Sequence, residues 1–465
     1  MRSRSRSRRR LQWTTTLPTA DVVIVGAGIA GMTAAFSLAD AGAKVHVVAR
    51  GHAATHWTSG GLDVAAPTGS PTSALGIERL AARQGHPYAI LGEGATAAIS
   101  AWRTSLMPEG LEYLGDLRDP LRAIPTAIGG TRRAAILPSA QAGALRPWTA
   151  GERLVVCGPT GFKDFWPDAI VASLRRPAVW GMDPRDDARP STIEALVVDL
   201  PGLAGRHNLS ALDLARLFDD ARWRVDALER ISRAIERSGA AGAGGRIALP
   251  AVLGLADHAA AFDDAVRILP LAPFEVPLVS PSIPGLRLYT ALRAALRRRG
   301  GRIDIGESVA AITVDRRRVT SVALAAAVRE RVIRTDSVVL ATGGIGGGGL
   351  VGRADGRLEE VLLDLPVEGP PAGEWLAADP FDPDGHPIET AGIRTDEDLR
   401  PVAQDGVIVL ENVVVVGSLL AGQRYLSERC GDGVAIASGL RAAATLVNAG
   451  AWGALQPVEP TAAQP

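Results

Sequence analysis

The sequence predicts an α/β fold, Rossmann-like, with an inserted α+β lobe. Three observations predict it. An apolar β-branched run, Asp21 to Val25, leads straight into Gly26-Ala27-Gly28-Ile29-Ala30-Gly31, an alanine-rich helical stretch follows, and a second strand, Val45 to Ala49, comes after a turn at Ala41-Gly42-Ala43. Later strands end at small residues, as at Ala341-Thr342-Gly343-Gly344 and Gly417. Between them lies a long stretch of different character, with scattered prolines and five tryptophans, Trp102, Trp148, Trp166, Trp180 and Trp223.

In the first unit each glycine has a distinct stereochemical reason. Gly26 allows a tight turn, Gly28 lets backbone approach a pyrophosphate, and Gly31 lets helix and strand pack closely. The phosphates would rest on main-chain amides at the helix start, Ile29 and Ala30 among them. A lone Gly-x-Gly-x-x-Gly is weak; between a strand, a helix and a second strand it is specific. The second strand ends at Arg50, where many such folds carry an acidic residue for the ribose hydroxyls. A cation there leaves FMN and NADP open beside a full adenine dinucleotide. Ser59-Gly60-Gly61-Leu62-Asp63 follows, a small-residue loop on which a flat ring can lie close to backbone.

From about Ile90 to Pro281 helical patterns (Leu209 to Arg224, Trp223 to Ser238) alternate with short strands (Leu154 to Val156, Ile247 to Leu249). This segment reads as the inserted lobe. The nucleotide domain then resumes with an amphipathic helix at Leu286 to Arg299, strands at Arg302 to Ile305 and Ala310 to Ala325 around a turn at Asp315 to Arg318, and the strand Ser337 to Leu340. Arg353 to Pro401 is polar and proline-rich and is expected to return to the lobe. The chain closes on Val413 to Gly417 and on Gly431-Asp432-Gly433-Val434, which opens a last helix whose N-terminus would be a second anion site. The expected domains are a basic arm, 1–19; a cofactor domain, 20–92, 282–350 and 405–452; a substrate or cap lobe, 93–281 and 351–404; and a tail, 453–465.

At 465 residues and 47% hydrophobic composition the chain can bury more than one core, which excludes global disorder. Net charge is zero, yet six arginines crowd the first ten residues, so the remainder is acidic. The arginine excess over two lysines, Lys44 and Lys163, reads as genomic base composition and not as nucleic-acid binding. No hydrophobic segment follows the arginines, so a secretory leader is not indicated. Two cysteines, Cys157 and Cys430, exclude a disulfide framework, zinc-ligand spacing and an iron–sulfur cluster of the chain's own. No metal is expected. Cys430, at a helix start, is a candidate for a lowered thiol pKa or for an inert packed thiol.

Several further pieces carry a resemblance: Ser59-Gly60-Gly61-Leu62-Asp63, His86-Pro87-Tyr88-Ala89-Ile90-Leu91-Gly92, Gly158-Pro159-Thr160-Gly161-Phe162-Lys163, Leu249 to Asp257, Pro281 to Leu288, Gly392-Ile393-Arg394-Thr395-Asp396-Glu397 and Cys430 to Val434. With the glycine motif they resemble two-dinucleotide-binding flavoproteins of the fumarate reductase and succinate dehydrogenase kind. The closer resemblance is to the B-type subunit of anaerobic glycerol-3-phosphate dehydrogenase, in order from Asp21 to about Ala449. That resemblance implies a flavin, FMN or FAD, with FMN favoured because Arg50 is also Arg in the family. It implies oxidation of glycerol 3-phosphate to dihydroxyacetone phosphate by a quinone-linked, multisubunit dehydrogenase. Its partners would be a flavoprotein dehydrogenase subunit and an iron–sulfur subunit that passes electrons to menaquinone, then to fumarate or nitrate. The setting would be cytoplasmic, at the inner face of the membrane through those partners. The chain departs from the family at Leu420 to Tyr425 and in its arginine arm.

The residues expected to hold the flavin are Gly26, Gly28, Ile29, Ala30, Gly31, Arg50, Ser59, Gly60, Gly61, Thr342, Gly343, Gly417, Gly431, Gly433 and Val434. For catalysis, His86, His258 and His386 are candidate bases because imidazole titrates near neutrality. Arg394 and Arg400 are candidate phosphate anchors because a guanidinium fork suits phosphate oxygens. Nothing in the sequence brings these five to one point. Alternatives of other classes are an electron-relay or assembly subunit, a flavin-less scaffold, and a fumarate-reductase-like enzyme on a different small acid.

Overall fold

Val22, Val23 and Ile24 are wholly buried, and such a run on both faces belongs to the middle of a parallel sheet covered by helices. The computed structural model describes residues 19–92, 94–180, 189–240, 244–325 and 331–450. The basic arm and the C-terminal tail lie outside the described residues, apart from Thr19. The strand Thr19–Val25 sits between Val45–Ala49 and Arg331–Leu340, pairing in parallel with both. The full order is Arg302–Ile305, Val45–Ala49, Thr19–Val25, Arg331–Leu340, Arg318–Ala325, Ser308–Asp315. Arg331–Leu340 is shared: its first half pairs antiparallel with Arg318–Ala325, and its last residues pair in parallel with Val413–Val415. The hairpin turns at Arg316 and Arg317, both with positive φ, where the sequence places the turn.

The helix Ile29–Asp40 is buried from Ile29 to Ala39, and its small residues let the last helix, Gly431–Ala449, lie against it. Contact is close enough that a Cβ at Gly439 would come 2.6 Å from the Ala30 carbonyl oxygen.

A second core, from Ile124 to Ile283, surrounds a four-stranded sheet in the order Ala272–Val276, Gly245–Pro250, Arg153–Pro159, Thr192–Val198. All its pairings are parallel, each strand being followed by a helix, so the inserted lobe is itself a small doubly wound unit. Its limits differ from those expected. Trp102, Leu106, Tyr113 and Leu117, and later Leu365, Ile393 and Leu399, join the core of the cofactor domain. The segment 351–404 is held there by backbone, with the Val415 amide donating to the Leu399 carbonyl (2.9 Å) and the Ala421 amide to Ile393 (3.2 Å).

Arg246, fully buried, locks the base of the lobe. Its guanidinium donates to both oxygens of Glu152 (2.8 and 3.0 Å) and to the carbonyls of Gly143, Arg146 and Pro147, and it stacks 3.7 Å from the Trp148 ring. Burial works against the Glu152 charge, but Arg246 prevails and holds the carboxyl down to about 2. A depressed folded-state pKa gives stability that is complete above the ordinary value of 4.5 and is lost as pH falls toward 2. Urea unfolding of the wild type should therefore weaken steeply over that window, and Arg246→Leu should flatten this part of the profile. An unchanged profile in the variant would show that the pair does not govern acid stability.

Candidate functional site

The three glycines of the first turn separate cleanly by what surrounds them. Gly26 has φ +117°, and a Cβ there would sit inside the Ala341 carbonyl. A Cβ at Gly31 would collide with the Gly26 carbonyl and come 2.9 Å from the Ala341 Cβ. Gly28 is different: its φ is −75°, which any residue adopts, and its only neighbour within reach would be the Ala53 Cβ at an ordinary 3.6 Å. No protein atom requires a glycine at 28, and the backbone there is open to close approach by a ligand. The helix behind it has no side-chain cap, so the first amides, at Ile29, Ala30 and Gly31, lack a helical acceptor. A pyrophosphate would suit both features.

Other predicted residues gather at this turn. Ala341 to Gly343 follow the neighbouring strand, Gly343 at φ +81°, and the Thr342 hydroxyl is buried with no hydrogen-bond partner. A Cβ at Gly417 would come 2.9 Å from that of Ala30. Arg50 is exposed at the end of its strand. In the loop that follows, Ala53 lies next to Gly28 and holds φ 58°, a strained value for a residue with a Cβ.

Ser59 to Gly61 are pinned by residues far along the chain. The Gln141 side chain donates to the Ser59 carbonyl (2.8 Å), Arg132 donates to the Ser59 hydroxyl, and a Cβ at Gly60 would come 2.5 Å from Pro284. Arg132 also pairs with Asp63 at 2.5 Å. The loop then meets the start of the last helix. The Asp63 amide donates to the Asp432 carboxyl (2.9 Å), while the amides of Asp432 and Gly433 donate to the Asp63 carbonyl (3.0 and 3.1 Å). Gly433 is required by packing, since a Cβ there would strike the Tyr88 hydroxyl. The helix start offered by Gly431, Gly433 and Val434 thus spends two of its amides on the protein's own chain. Burial first, and then the Asp63 carboxylate, push the Asp432 carboxyl up to about 7.

The five catalytic candidates do not converge. His86 is buried, its Nδ1 accepting from the Tyr88 amide (3.1 Å), so Nε2 carries the proton and donates to Glu428 (3.2 Å). Glu428 also takes Arg83 (2.6 Å) and the Arg424 amide (2.7 Å), and the Cys430 sulfur lies 3.6 Å away. Although His86, Glu428 and Cys430 bring ligand-type atoms within 4.8 Å of one another, the imidazole faces them with a proton rather than a lone pair. Burial and Glu428 push the Cys430 thiol up, not down. His258 opens the helix His258–Ile268 in the second lobe; burial and then Arg287 lower its pKa. His386 accepts from the Ala377 amide (3.1 Å). Arg400 is engaged by Asp396 (2.8 Å) and Asp398 (3.2 Å), and Arg394 by the Ala403 carbonyl (2.6 Å). Arg132, Gln141 and the Asp63–Asp432 pairing escape sequence reading, since no local pattern marks a contact across 369 residues.

Comparison with known proteins places the chain in a family. A family profile described as FAD binding domain matches residues 21–434. The B-type subunit of anaerobic glycerol-3-phosphate dehydrogenase from Yersinia pestis bv. Antiqua (strain Antiqua) is 30% identical over 92% of this chain and 98% of its own. A probable B-type subunit of the same dehydrogenase from Halobacterium salinarum (strain ATCC 29341 / DSM 671 / R1) is 30% identical over 91% and 96%. Among solved structures, the open conformation of a flavocytochrome c3 fumarate reductase covers 93% of this chain and 78% of its own, at 11% identity and a TM-score of 0.42. FAD is the flavin of this fold, within the expected choice of FMN or FAD. The chain belongs to the FAD-binding-domain family and, within it, to the family of B-type subunits of anaerobic glycerol-3-phosphate dehydrogenase.

Proposed function

We propose that this chain is the flavin-carrying subunit of an anaerobic glycerol-3-phosphate dehydrogenase, oxidising glycerol 3-phosphate to dihydroxyacetone phosphate. The observation that carries the reading is Gly28, a glycine that no protein contact demands, at a helix start with unclaimed amides, in a chain that matches a named relative over 92% of its length. Gly26, Gly28, Ile29, Ala30, Gly31, Thr342, Gly343 and Gly417 hold the flavin's phosphates and ribityl chain, and Ser59 to Gly61 face its ring. Bound there, the flavin supplies two-electron oxidation with one-electron release, which suits onward transfer to quinone. The electrons leave through a partner flavoprotein subunit and an iron–sulfur subunit to menaquinone, with fumarate or nitrate as terminal acceptors. Association with the inner face of the membrane is through those partners, since no described helix is long and apolar enough to cross a membrane.

A second reading, an electron-relay subunit whose partner oxidises the substrate, is favoured by the prior engagement of His86, Arg394 and Arg400. Anaerobic addition of glycerol 3-phosphate to the purified flavin-loaded chain separates the two. The first reading expects the yellow colour to bleach without partners. Bleaching only after the partner subunits are added supports the relay and removes the proposal of catalysis on this chain.

A further inference from the structure

The motif Gly158-Pro159-Thr160-Gly161-Phe162-Lys163 belongs to the second lobe, where it ends the strand Arg153–Pro159. The neighbouring strand Thr192–Val198 runs parallel to it and stops at the same level, Pro159 opposite Val198. The chain leaving one strand then meets the chain leaving the other. The Thr160 amide donates to the Val198 carbonyl (3.0 Å), and a Cβ at Gly161, φ +75°, would strike the Arg206 carbonyl. The crevice outside the carboxyl ends of parallel strands is where open α/β sheets take their ligands.

Beside this junction the segment 206–209 and the helix Ala211–Asp219 bound an open cleft of about 580 Å³, a volume that suits a small molecule. Arg206, His207 and Arg216 line it, and Asp213 is the one carboxylate among its lining residues. Asp213 is already engaged through one oxygen, which accepts from the Ser210 amide (3.1 Å) and hydroxyl (2.7 Å) and so caps the helix. Ser210 first, and then Arg216 and Arg206, hold the Asp213 pKa below the ordinary carboxylate value, so both guanidiniums lie within reach of the same carboxyl. The Asn208 side-chain oxygen accepts from Lys163 (2.9 Å), which leaves its amide N–H pair to donate. Leu209 and Leu217 add an apolar wall against which carbon can rest. The walls are tied in place: the Arg206 amide donates to the Leu203 carbonyl (3.0 Å), and the Trp166 indole donates to the Lys163 carbonyl (2.6 Å). One guanidinium fork is enough for a carboxylate ligand. Two guanidiniums with an imidazole and an amide match the three oxygens and double charge of a phosphate monoester.

We propose that this cleft binds a small organic phosphate, with the phosphate group on Arg206, His207 and Arg216 and a ligand hydroxyl on Asp213 and Asn208. The site lies in the second lobe, and it holds independently of the flavin reading.

Isothermal titration of the full chain, with FAD in excess and at physiological salt, tests this with three probes: inorganic phosphate, glycerol 2-phosphate and glycerol. Glycerol 2-phosphate is chosen because it has no secondary hydroxyl to oxidise, so the heat reports binding alone. Both phosphates should bind and glycerol should not. Arg206→Gln and Arg216→Gln should each weaken binding of glycerol 2-phosphate by at least about 10-fold. Arg222→Gln makes the same charge change at an exposed position on the next helix, Ala221–Arg237, and should leave binding unchanged. All three positions are exposed, so the variants should fold as the wild type does. The proposal is overturned if the wild type binds neither phosphate at millimolar concentration, or if Arg206→Gln and Arg216→Gln bind both as the wild type does. It is equally overturned if Arg222→Gln weakens binding as much as they do, since that result assigns the effect to overall charge. Glycerol 2-phosphate binding more tightly than inorganic phosphate supports an organic ligand. Binding no tighter than inorganic phosphate overturns that part and leaves the free ion as the ligand.

Discussion

A Gly28→Val chain is expected to purify colourless and folded. The position has an unstrained φ, and a Cβ there meets only the Ala53 methyl, so the apo-protein should keep its far-ultraviolet dichroism and melt within a few degrees of the wild-type apo-protein. A pyrophosphate drawn onto the amides of Ile29 to Gly31 has to pass within van der Waals distance of the residue-28 backbone, and two added methyl groups occupy that space. Flavin affinity should fall by at least about 100-fold, on the order of 3 kcal/mol. Gly31→Val provides the contrast. Its Cβ would drive into the Gly26 carbonyl, so this variant should lose the fold along with the flavin. Equilibrium titration of each apo-chain with FAD, followed by fluorescence quenching, separates loss of ligand from loss of structure. A Gly28→Val chain that retains wild-type affinity would remove the phosphate from this turn.

The second large effect concerns the joint between the two cores. Arg287 leaves the cofactor-domain helix Ile283–Arg298 and enters the second lobe, where it donates to Glu275 (2.6 and 3.0 Å) and to the carbonyls of Leu253 and Gly254. Glu275 is fully buried and Arg287 is 4% exposed. Glu275 in turn accepts from the Leu253 amide (2.8 Å), so one ion pair orders the end of two strands and anchors the helix. Arg287→Leu leaves that carboxylate buried without its partner and should cost about 3–5 kcal/mol in urea unfolding. The double variant with Glu275→Leu removes both charges and should recover a substantial part of the loss. A single-variant cost below about 1 kcal/mol would show that the pair is dispensable to the joint.

How much of this could be read from the sequence depends on whether the cause is local. The first βαβ unit was legible because backbone sterics force its glycines: Gly26 and Gly31 have no room for a Cβ. The hairpin at Arg316–Arg317 and the helices of the inserted lobe were legible through turn chemistry and helical period. The place of residues 351–404 was not. That segment has little periodicity, and isolated backbone bonds to Leu399 and Ile393 from the Val415 and Ala421 amides decide which core it joins. The histidines misdirect for a related reason. Imidazole is a natural base on paper, but His86 is consumed by its neighbours Tyr88 and Glu428. Asp432, a mere spacer between two glycines in the sequence, acquires its character from burial and from Asp63, far away along the chain.

Acid release of the bound flavin, with its identity and amount determined by chromatography, bears most directly on a cofactor lying along the crease that starts at Gly26. The expected result is close to one FAD per chain, freed intact and taken up again by the apo-protein. A folded chain that holds no flavin and binds none on titration would contradict it.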